Sequence, residues 1–433
     1  MSKSDGVAKS NFGSKGWVIL ILAFFSILLM SLIVYDSLNV TIPAFAAQKG
    51  WNMAILYIFS TVAAWISVIG AALWGGICSK KTNRFGWVAA LMLGAVGCII
   101  WAFAGSPVVY LVCLAMAMVG GMGFAYIANL NVISNWFPTK KGLVMGWVTI
   151  GFPLSATIAV PVCSGLLAGL GLSGIYFVFA GLCLVLAILV AILVRDYPEQ
   201  SGAYPDNNKS FDKEQLAKEL QAGLDYMKTS PWNGKAVFKA KETKKIVFSL
   251  GIMELLALGI MTNYVPRMLQ IGYTQQDCIP LLAIAGVVAM IGSYLCGVLD
   301  AHVGPKKAIW ITYIFGIFSL ILNLIGGVLK VNHLDKAAFI LILAAQPFLG
   351  VMLGGAANYL VSLTATIWGR YDFPAAYRVI KPLVAIVGAL GISLCGVIGN
   401  TVGYAYAYLL FAILAVIAVF VDIKIDDTYV GRK

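Results

Sequence analysis

Apolar residues fill this chain in long runs, and each run ends in a short polar turn. A run of about 18 or more apolar residues can cross a hydrocarbon core as a helix. Six such runs precede a charged segment at 195–245, and six follow it. The predicted spans are 17–42, 52–78, 86–104, 108–135, 142–169, 172–194, 246–268, 279–299, 307–329, 337–365, 374–399 and 402–422. The pattern predicts an all-α membrane protein with 12 transmembrane helices in two six-helix half-bundles.

The charged segment 195–245 is the only long polar passage, with ten of the 30 Lys and Arg and eight of the 18 acidic residues. A polar stretch midway between two similar apolar blocks is typical of a tether between two halves of a membrane protein. We therefore predict an N-terminal bundle at 1–194, a linker at 195–245 and a C-terminal bundle at 246–433.

The linker itself contains a pattern that predicts an amphipathic helix. Ser210 and Asp212 are residue types that cap helices. The apolar residues that follow them at helical spacing are Leu216, Leu220, Leu224 and Met227, and Ser230-Pro231 ends the run. We expect this helix to lie under the bundle or on the lipid surface.

Composition supports the membrane assignment, since 61% of the residues are hydrophobic and only 11% are charged. Soluble domains carry roughly 25% charged residues. The net charge of +12 is concentrated in alternate loops, the tails and the linker. Short loops rich in Lys and Arg face the cytoplasm. The sequence therefore predicts a multi-pass cell-membrane protein whose termini and linker are cytoplasmic, and the charge needs no nucleic-acid partner.

The sequence lacks the residues and motifs that several classes of site require. The eight cysteines are scattered, only two histidines occur, and neither a phosphate-binding P-loop nor a dinucleotide fingerprint is present. No nucleophile–base constellation stands out. We expect no metal, no cofactor and no enzymatic activity, and a small molecule and the lipid bilayer as partners of a monomer.

Two polar turns, one in each half, resemble each other. The first, between spans 2 and 3, contains Gly75, Lys80 and Arg84. The second, between spans 8 and 9, contains Gly297, Asp300, Gly304 and Lys306. Repeated halves with a binding site between them are typical of secondary transporters.

These turns resemble the Gly-x-x-x-Asp-Arg/Lys-x-Gly-x-Arg/Lys signature of the major facilitator superfamily, and the resemblance covers essentially the whole chain. In that family the loop charges latch neighbouring helices. The second copy has its acid shifted one place, to Asp300, and His302 in the basic position. In the first copy Ser79 replaces the acid, so the resemblance does not carry the latch over to the N-terminal half.

Two further stretches resemble the oxalate/formate antiporter and monocarboxylate carrier branch of the superfamily. One is the turn Trp136-Phe137-Pro138 followed by Lys140, Lys141 and Gly142. The other is the run from Asp196 to Asp206, which resembles the branch's Pro-Glu-x-x-Gly-x-x-Pro-Asp motif. The resemblance implies transport of small organic anions.

Charged residues inside predicted spans need a reason, because a charge near the membrane centre costs roughly 2.5–3.5 kcal/mol on insertion scales. Glu254 lies about 12 Å into the seventh span at ~1.5 Å per residue. It is interpreted either as a proton-coupling or substrate-contacting carboxylate, or as a structural group, namely a partner for a basic residue or a protonated carboxyl hydrogen-bonded between helices. Both interpretations stay open.

Lys381, in span 11, is the second such charge, and Pro382 follows it. The carriers that the chain resembles have a lysine in helix 11 that attracts the carboxylate substrate. Lys381 lies about a turn closer to the cytoplasmic end than that lysine. The alternative is a lysine whose ammonium reaches the membrane surface.

Asp36 and Arg267 lie at similar depths near the outer ends of spans 1 and 7. An outside gate formed by this pair is one hypothesis, and two independently solvated side chains are the other. Uncharged polar residues in the spans are candidates for substrate contact or for hydrogen bonds between helices. They are Tyr35, Asn39, Tyr126, Asn129, Asn263, Gln346, Asn358 and Tyr359.

The function that the sequence favours is secondary transport of mono- or dicarboxylates by alternating access, through antiport or proton symport. A proton-coupled exporter of apolar or cationic compounds, driven by Glu254, is the alternative, because the charges inside the spans are of mixed sign. A membrane sensor that keeps the transporter fold without transport is a weaker third hypothesis.

Overall fold

The computed structural model describes residues 11–208 and 213–428, and the secondary structure of that part is helical. Its helices are α1 Gly13–Ser31, α2 Leu38–Lys49, α3 Met53–Lys80, α4 Asn83–Ala102, α5 Pro107–Gly121, α6 Ala128–Trp136, α7 Lys141–Val148, α8 Gly151–Leu193, α9 Lys213–Thr229, α10 Gly234–Lys239, α11 Lys241–Thr262, α12 Tyr264–Gln270, α13 Gln275–Val303, α14 Pro305–Val331, α15 Asp335–Ile398 and α16 Tyr404–Ile423.

A wider, π-helical turn lies within each of two predicted spans, and a third lies at the boundary between predicted spans 11 and 12. These turns are Leu32–Asp36 after α1, Met122–Ile127 after α5 and Gly399–Gly403 before α16. Such turns occur often at functional sites, because the extra residue redirects side chains from the helix face. The apolar pattern of the sequence gave no sign of them.

Two glycines separate consecutive spans inside what is otherwise continuous helix. Gly171 in α8 has φ 71° and ψ −179°, and Gly369 in α15 has φ 72° and ψ −175°. Only glycine adopts this backbone conformation without strain. The two positions coincide with the predicted boundaries between spans 5 and 6 and between spans 10 and 11.

Eleven helices of the described residues are long and apolar enough to cross a membrane. The predicted seventh span is formed instead by α11 and α12, with Asn263 as the break between them. This stretch is less apolar than the other predicted spans because α11 begins with charged residues and contains Glu254 further along.

The two halves of the bundle meet closely at the end where the linker lies. The end on which the linker lies is called the linker side, and the opposite end the far side. At the linker side α7 crosses α13, and both helices carry small residues at intervals of four. A Cβ atom on Gly146 would lie 2.9 Å from the Cα atom of Gly297. The hydroxyls of Thr149 and Ser293 are 2.5 Å apart. Small residues at this spacing allow two helix backbones to approach closely.

Helix α9 covers the stretch in which the sequence predicts the linker helix, while the proposed caps Ser210 and Asp212 lie outside the described residues. Gly223 of α9 packs against the ring of Tyr371, where a Cβ atom would clash with the ring. The Tyr226 hydroxyl donates to Asp372 Oδ2 at 2.8 Å. The helix therefore packs under the C-terminal half.

Candidate functional site

The candidate site centres on an ion pair between two helices of the C-terminal half. Lys381 Nζ on α15 lies 3.2 Å from both Oε1 and Oε2 of Glu254 on α11. The side chain of Lys381 is 6% exposed and that of Glu254 is 21% exposed. The two intramembrane charges that sequence analysis treated separately are therefore partners, and the carboxylate is the more accessible of the two.

Aromatic side chains from both halves surround this pair. The ammonium of Lys381 lies 4.6 Å from the ring centroid of Tyr126, which belongs to the N-terminal half. Tyr35, Tyr126 and Tyr377 lie within electrostatic range of the Glu254 carboxylate. Because a desolvated ammonium over a ring face gains about 2 kcal/mol, the Lys381 charge is held by a carboxylate and by a ring across the interface between the halves.

Local backbone geometry positions these groups. Tyr35 and Tyr126 lie in the π-helical turns Leu32–Asp36 and Met122–Ile127, one in each of two N-terminal spans. Gly388 on α15 faces the Glu254 side chain, and a Cβ there would lie 2.7 Å from Glu254 Cγ. The missing side chain at Gly388 leaves room for the carboxylate to reach Lys381.

Four other predicted contact residues are bonded between or within helices. Asn129 donates to the Ala23 carbonyl at 3.3 Å, and Gln346 donates to the Tyr264 hydroxyl at 3.1 Å. The hydroxyls of Tyr359 and Thr312 are 2.7 Å apart, and Asn263 Nδ2 donates to the Gly259 carbonyl at 3.1 Å. Their substrate contacts stay predictions, as does that of Asn39, whose side chain is not among those described.

Asn358 lies at the linker-side contact between the halves and is fully buried. With its amide oriented to satisfy both neighbours, Nδ2 donates to the Gly142 carbonyl at 3.2 Å and Oδ1 accepts from the Gly297 N–H at 3.0 Å. Asn358 therefore connects α7 with α13, a position from which it stabilises their contact.

Asp36 and Arg267 each bind partners within their own half. Asp36 Oδ2 accepts hydrogen bonds from the hydroxyls of Ser31 and Ser155. The guanidinium of Arg267 donates to Asn323 Oδ1 at 3.0 Å and to the Asn323 carbonyl. The outside gate that pairs Asp36 with Arg267 stays a prediction, and this conformation holds the two side chains in separate networks.

The second copy of the loop signature lies at the same linker-side contact. Asp300 is 4% exposed and packs against Gly142 at the start of α7, where a Cβ would clash with its carboxylate. Gly304 has φ 82°, and Lys306 Nζ donates to the Ile425 carbonyl at 2.6 Å. The Asp300 carboxylate thus lies near the N-terminus of α7, where the helix dipole favours a negative charge.

The first copy is built differently. Gly75 packs against the stem of Arg378, and Lys80 is exposed. The missing acid at Ser79 has a substitute from the linker, since Asp196 accepts from the N–H groups of Asn83 and Arg84 at 2.6 and 2.8 Å. Asp196 thereby caps α4.

Two more acids of the Asp196–Asp206 run bind loops of both halves. Asp206 accepts from the N–H groups of Thr139 and Lys140 at the turn before α7. Burial raises the pKa of Asp206, while these donors favour its ionised form. Glu199 accepts two hydrogen bonds from Arg370, at 3.0 and 3.1 Å. In the sequence this run is recognisable only by its resemblance to the carrier motif. The acids that recur in it are the one local sign that it binds other loops.

Comparison with known proteins adds the family. Residues 19–378 match the model of the Major Facilitator Superfamily. The chain belongs to the major facilitator superfamily. It superimposes on the proton:xylose symporter XylE with a TM-score of 0.71 at 15% identity, covering 95% of this chain and 96% of that one. The predicted superfamily and its 12-helix fold class are confirmed, and the protein is a membrane-spanning transporter rather than an enzyme.

Relatives within the superfamily include carriers of small anions by name. The oxalate:formate antiporter of Oxalobacter formigenes is 26% identical over 351 residues, which span 78% of this chain and 75% of the relative. Monocarboxylate transporter 6 of Mus musculus is 28% identical over 144 residues, 31% of each chain. The predicted resemblance of this facilitator-family chain to that branch is confirmed.

Proposed function

We propose that this transporter is a secondary carrier of small organic anions, mono- or dicarboxylates, and that the substrate carboxylate binds Lys381. The observation that carries the proposal is the buried ammonium of Lys381 with an exchangeable carboxylate partner, Glu254, at 3.2 Å. A cation without a partner is costly to bury. The names of the two relatives support a carboxylate as the substrate.

Binding proceeds by exchange of one carboxylate for another. In the empty carrier Glu254 neutralises Lys381, and an arriving substrate carboxylate takes its place beside the ammonium. Glu254 then either stays charged and turns away from Lys381, or takes up a proton and separates from Lys381 as a neutral acid. The first route gives anion exchange and the second gives co-transport of an anion with a proton, so Glu254 sets the coupling.

The proposal includes an orientation, with the linker side in the cytoplasm of a cell whose plasma membrane holds the carrier. The excess of Lys and Arg in the linker-side loops supports it. Lys228 is exposed on the linker, and the described native cysteines are buried. Compared with the unsubstituted protein, a Lys228→Cys variant should therefore gain reaction with a membrane-impermeant maleimide only after the cells are opened, and a gain of labelling in intact cells would reverse the orientation.

A second candidate is a proton-coupled exporter of cationic or apolar compounds. The greater exposure of Glu254, 21% against 6% for Lys381, favours it, because a cation could reach the carboxylate first. In that case Glu254 separates from Lys381 and binds a proton and the substrate in turn.

Counterflow in proteoliposomes separates these candidates. Vesicles loaded with one carboxylate from a panel including oxalate, formate and benzoate are tested for uptake of the labelled compound. Carboxylate exchange that Lys381→Gln abolishes and the exposed-site control Lys336→Gln retains supports the anion carrier. Exchange that persists in Glu254→Gln while proton-driven uptake disappears assigns the proton to Glu254. Transport of cations but not carboxylates, lost in Glu254→Gln, would replace the anion proposal by the exporter.

A further inference from the structure

We propose that a pocket on the far side of the C-terminal half binds the anionic headgroup of a membrane phospholipid on Arg267. The pocket has a volume of about 280 Å³ and lies between α12, α14 and α16. Its lining includes Arg267, Gln270, Asn323, Gly327 and Tyr404. It is separate from the Lys381 site, so the inference does not rest on the proposed function.

The guanidinium at this pocket is a buried cation with neutral neighbours. Arg267 is 3% exposed, and its donors reach Asn323 Oδ1 and the Asn323 carbonyl. The Tyr408 ring covers one face at 4.4 Å. None of the ion pairs formed by the described side chains includes Arg267. Burial of a cation is costly without an anion, and a guanidinium binds phosphate through several N–H groups at once.

Gly327 leaves the guanidinium open to the pocket. A Cβ at this position would lie 3.7 Å from Arg267 Nη2, in ordinary contact, so a longer side chain would extend across the group. The lining residues that surround this opening are small or neutral. The charge of the pocket is therefore positive, and the ligand it complements is an anion.

The rim of the pocket indicates that the anion belongs to a lipid. Val328, Val331 and Val402 are 58%, 62% and 63% exposed, and Tyr406 is 60% exposed. Exposed apolar side chains on membrane-spanning helices face the acyl chains, and tyrosines gather at the level of the headgroups. The pocket also lies where α12 and α14 end and α16 begins, at the predicted membrane surface. With its phosphate bound to Arg267, the lipid would place its acyl chains along these valines.

Lipid titration of the purified full-length protein in detergent tests the proposal, with native mass spectrometry as the readout. Phosphatidylglycerol and phosphatidylcholine are the lipid probes, and inorganic phosphate is the soluble one. Phosphatidylglycerol should bind the wild type about tenfold more tightly than phosphatidylcholine does, because both lipids carry a phosphate but only choline adds a cation, which the positive pocket disfavours. Gly327→Leu should remove this preference while Arg267 remains in place, and Gly327→Ala should keep it.

Two controls make the outcome decisive. Arg267→Gln should also remove the preference, whereas Lys336→Gln, at an exposed far-side lysine, should retain it. Equal binding of the two lipids by the wild type overturns the proposal, and so does a preference that survives Gly327→Leu. Tight binding of inorganic phosphate with no lipid preference would reassign the pocket to a soluble anion.

Discussion

Glu199 and Arg370 form a bidentate ion pair, with Nη1 to Oε1 at 3.0 Å and Nη2 to Oε2 at 3.1 Å. Glu199 follows the N-terminal half in the chain, and Arg370 lies just after the Gly369 kink of the C-terminal half. The side chains are 8% and 14% exposed. The pair therefore connects the linker to the C-terminal half at the side where α7 and α13 meet.

Loss of either partner of this pair should loosen the linker side. Arg370→Gln leaves the largely buried carboxylate of Glu199 without its cation, and we expect destabilisation of about 3 kcal/mol by thermal or denaturant unfolding. Glu199→Gln with Arg370→Gln should recover much of the loss. Lys228→Gln, which removes an exposed pair with Asp225, is the control and should leave stability unchanged. An Arg370→Gln protein as stable as wild type would show that the pair is dispensable.

The Lys381–Glu254 pair should behave differently in stability and in transport. Lys381→Gln leaves Glu254 without its cation, so stability should fall by about 3 kcal/mol. The double variant Lys381→Gln with Glu254→Gln removes both charges, and stability should return while carboxylate counterflow stays absent. Thermal unfolding and counterflow on the same preparations check this. Transport restored together with stability would mean that Lys381 acts only as a structural partner.

A side chain at Gly146 should hold the linker side open. Because Gly146 packs against the backbone of Gly297, Gly146→Val cannot form the α7–α13 contact without displacement, at a cost of about 1–3 kcal/mol. Spin labels at Lys81→Cys and Lys307→Cys, both exposed and in different halves, should move apart. Gly165→Ala, at a glycine with open space around it, should leave the distance unchanged. An unaltered distance in Gly146→Val would contradict the role of this contact.

Asp206 should make the turn before α7 sensitive to pH. Burial raises its pKa above the ordinary 3.8, so the folded protein binds this proton more readily than the unfolded chain. The contribution of Asp206 to stability then decreases as the pH rises from 3.8 through its folded pKa. The melting temperature of wild type relative to Asp206→Asn should therefore fall as the pH rises above about 4. A difference that grows with pH would mean that the N–H donors outweigh burial.

Much of the candidate site was visible in the sequence as single residues but not as contacts. Glu254 and Lys381 stood out because charges are rare in apolar spans, yet they are 127 positions apart and their pairing has no local signature. The amides of Asn129 and Gln346 carried no sign of their partners, because helix–helix hydrogen bonds depend on how each helix is rotated. Asp196, Glu199 and Asp206 lay in a recognised motif. Their role could be seen only once the structure showed which loops they bind.

The sequence by itself determined the number and placement of the membrane spans, including the boundaries near 171 and 369, and the helix in the linker. Apolar run length and backbone conformational preference act locally, so they can be seen one segment at a time. Only the tertiary structure decided that Lys381 pairs with Glu254 beneath Tyr126, that Arg267 turns toward α14 and α16, and that linker acids bind the loops of both halves. Each of those contacts depends on how distant helices pack, and a buried charge takes whichever partner that packing brings within reach.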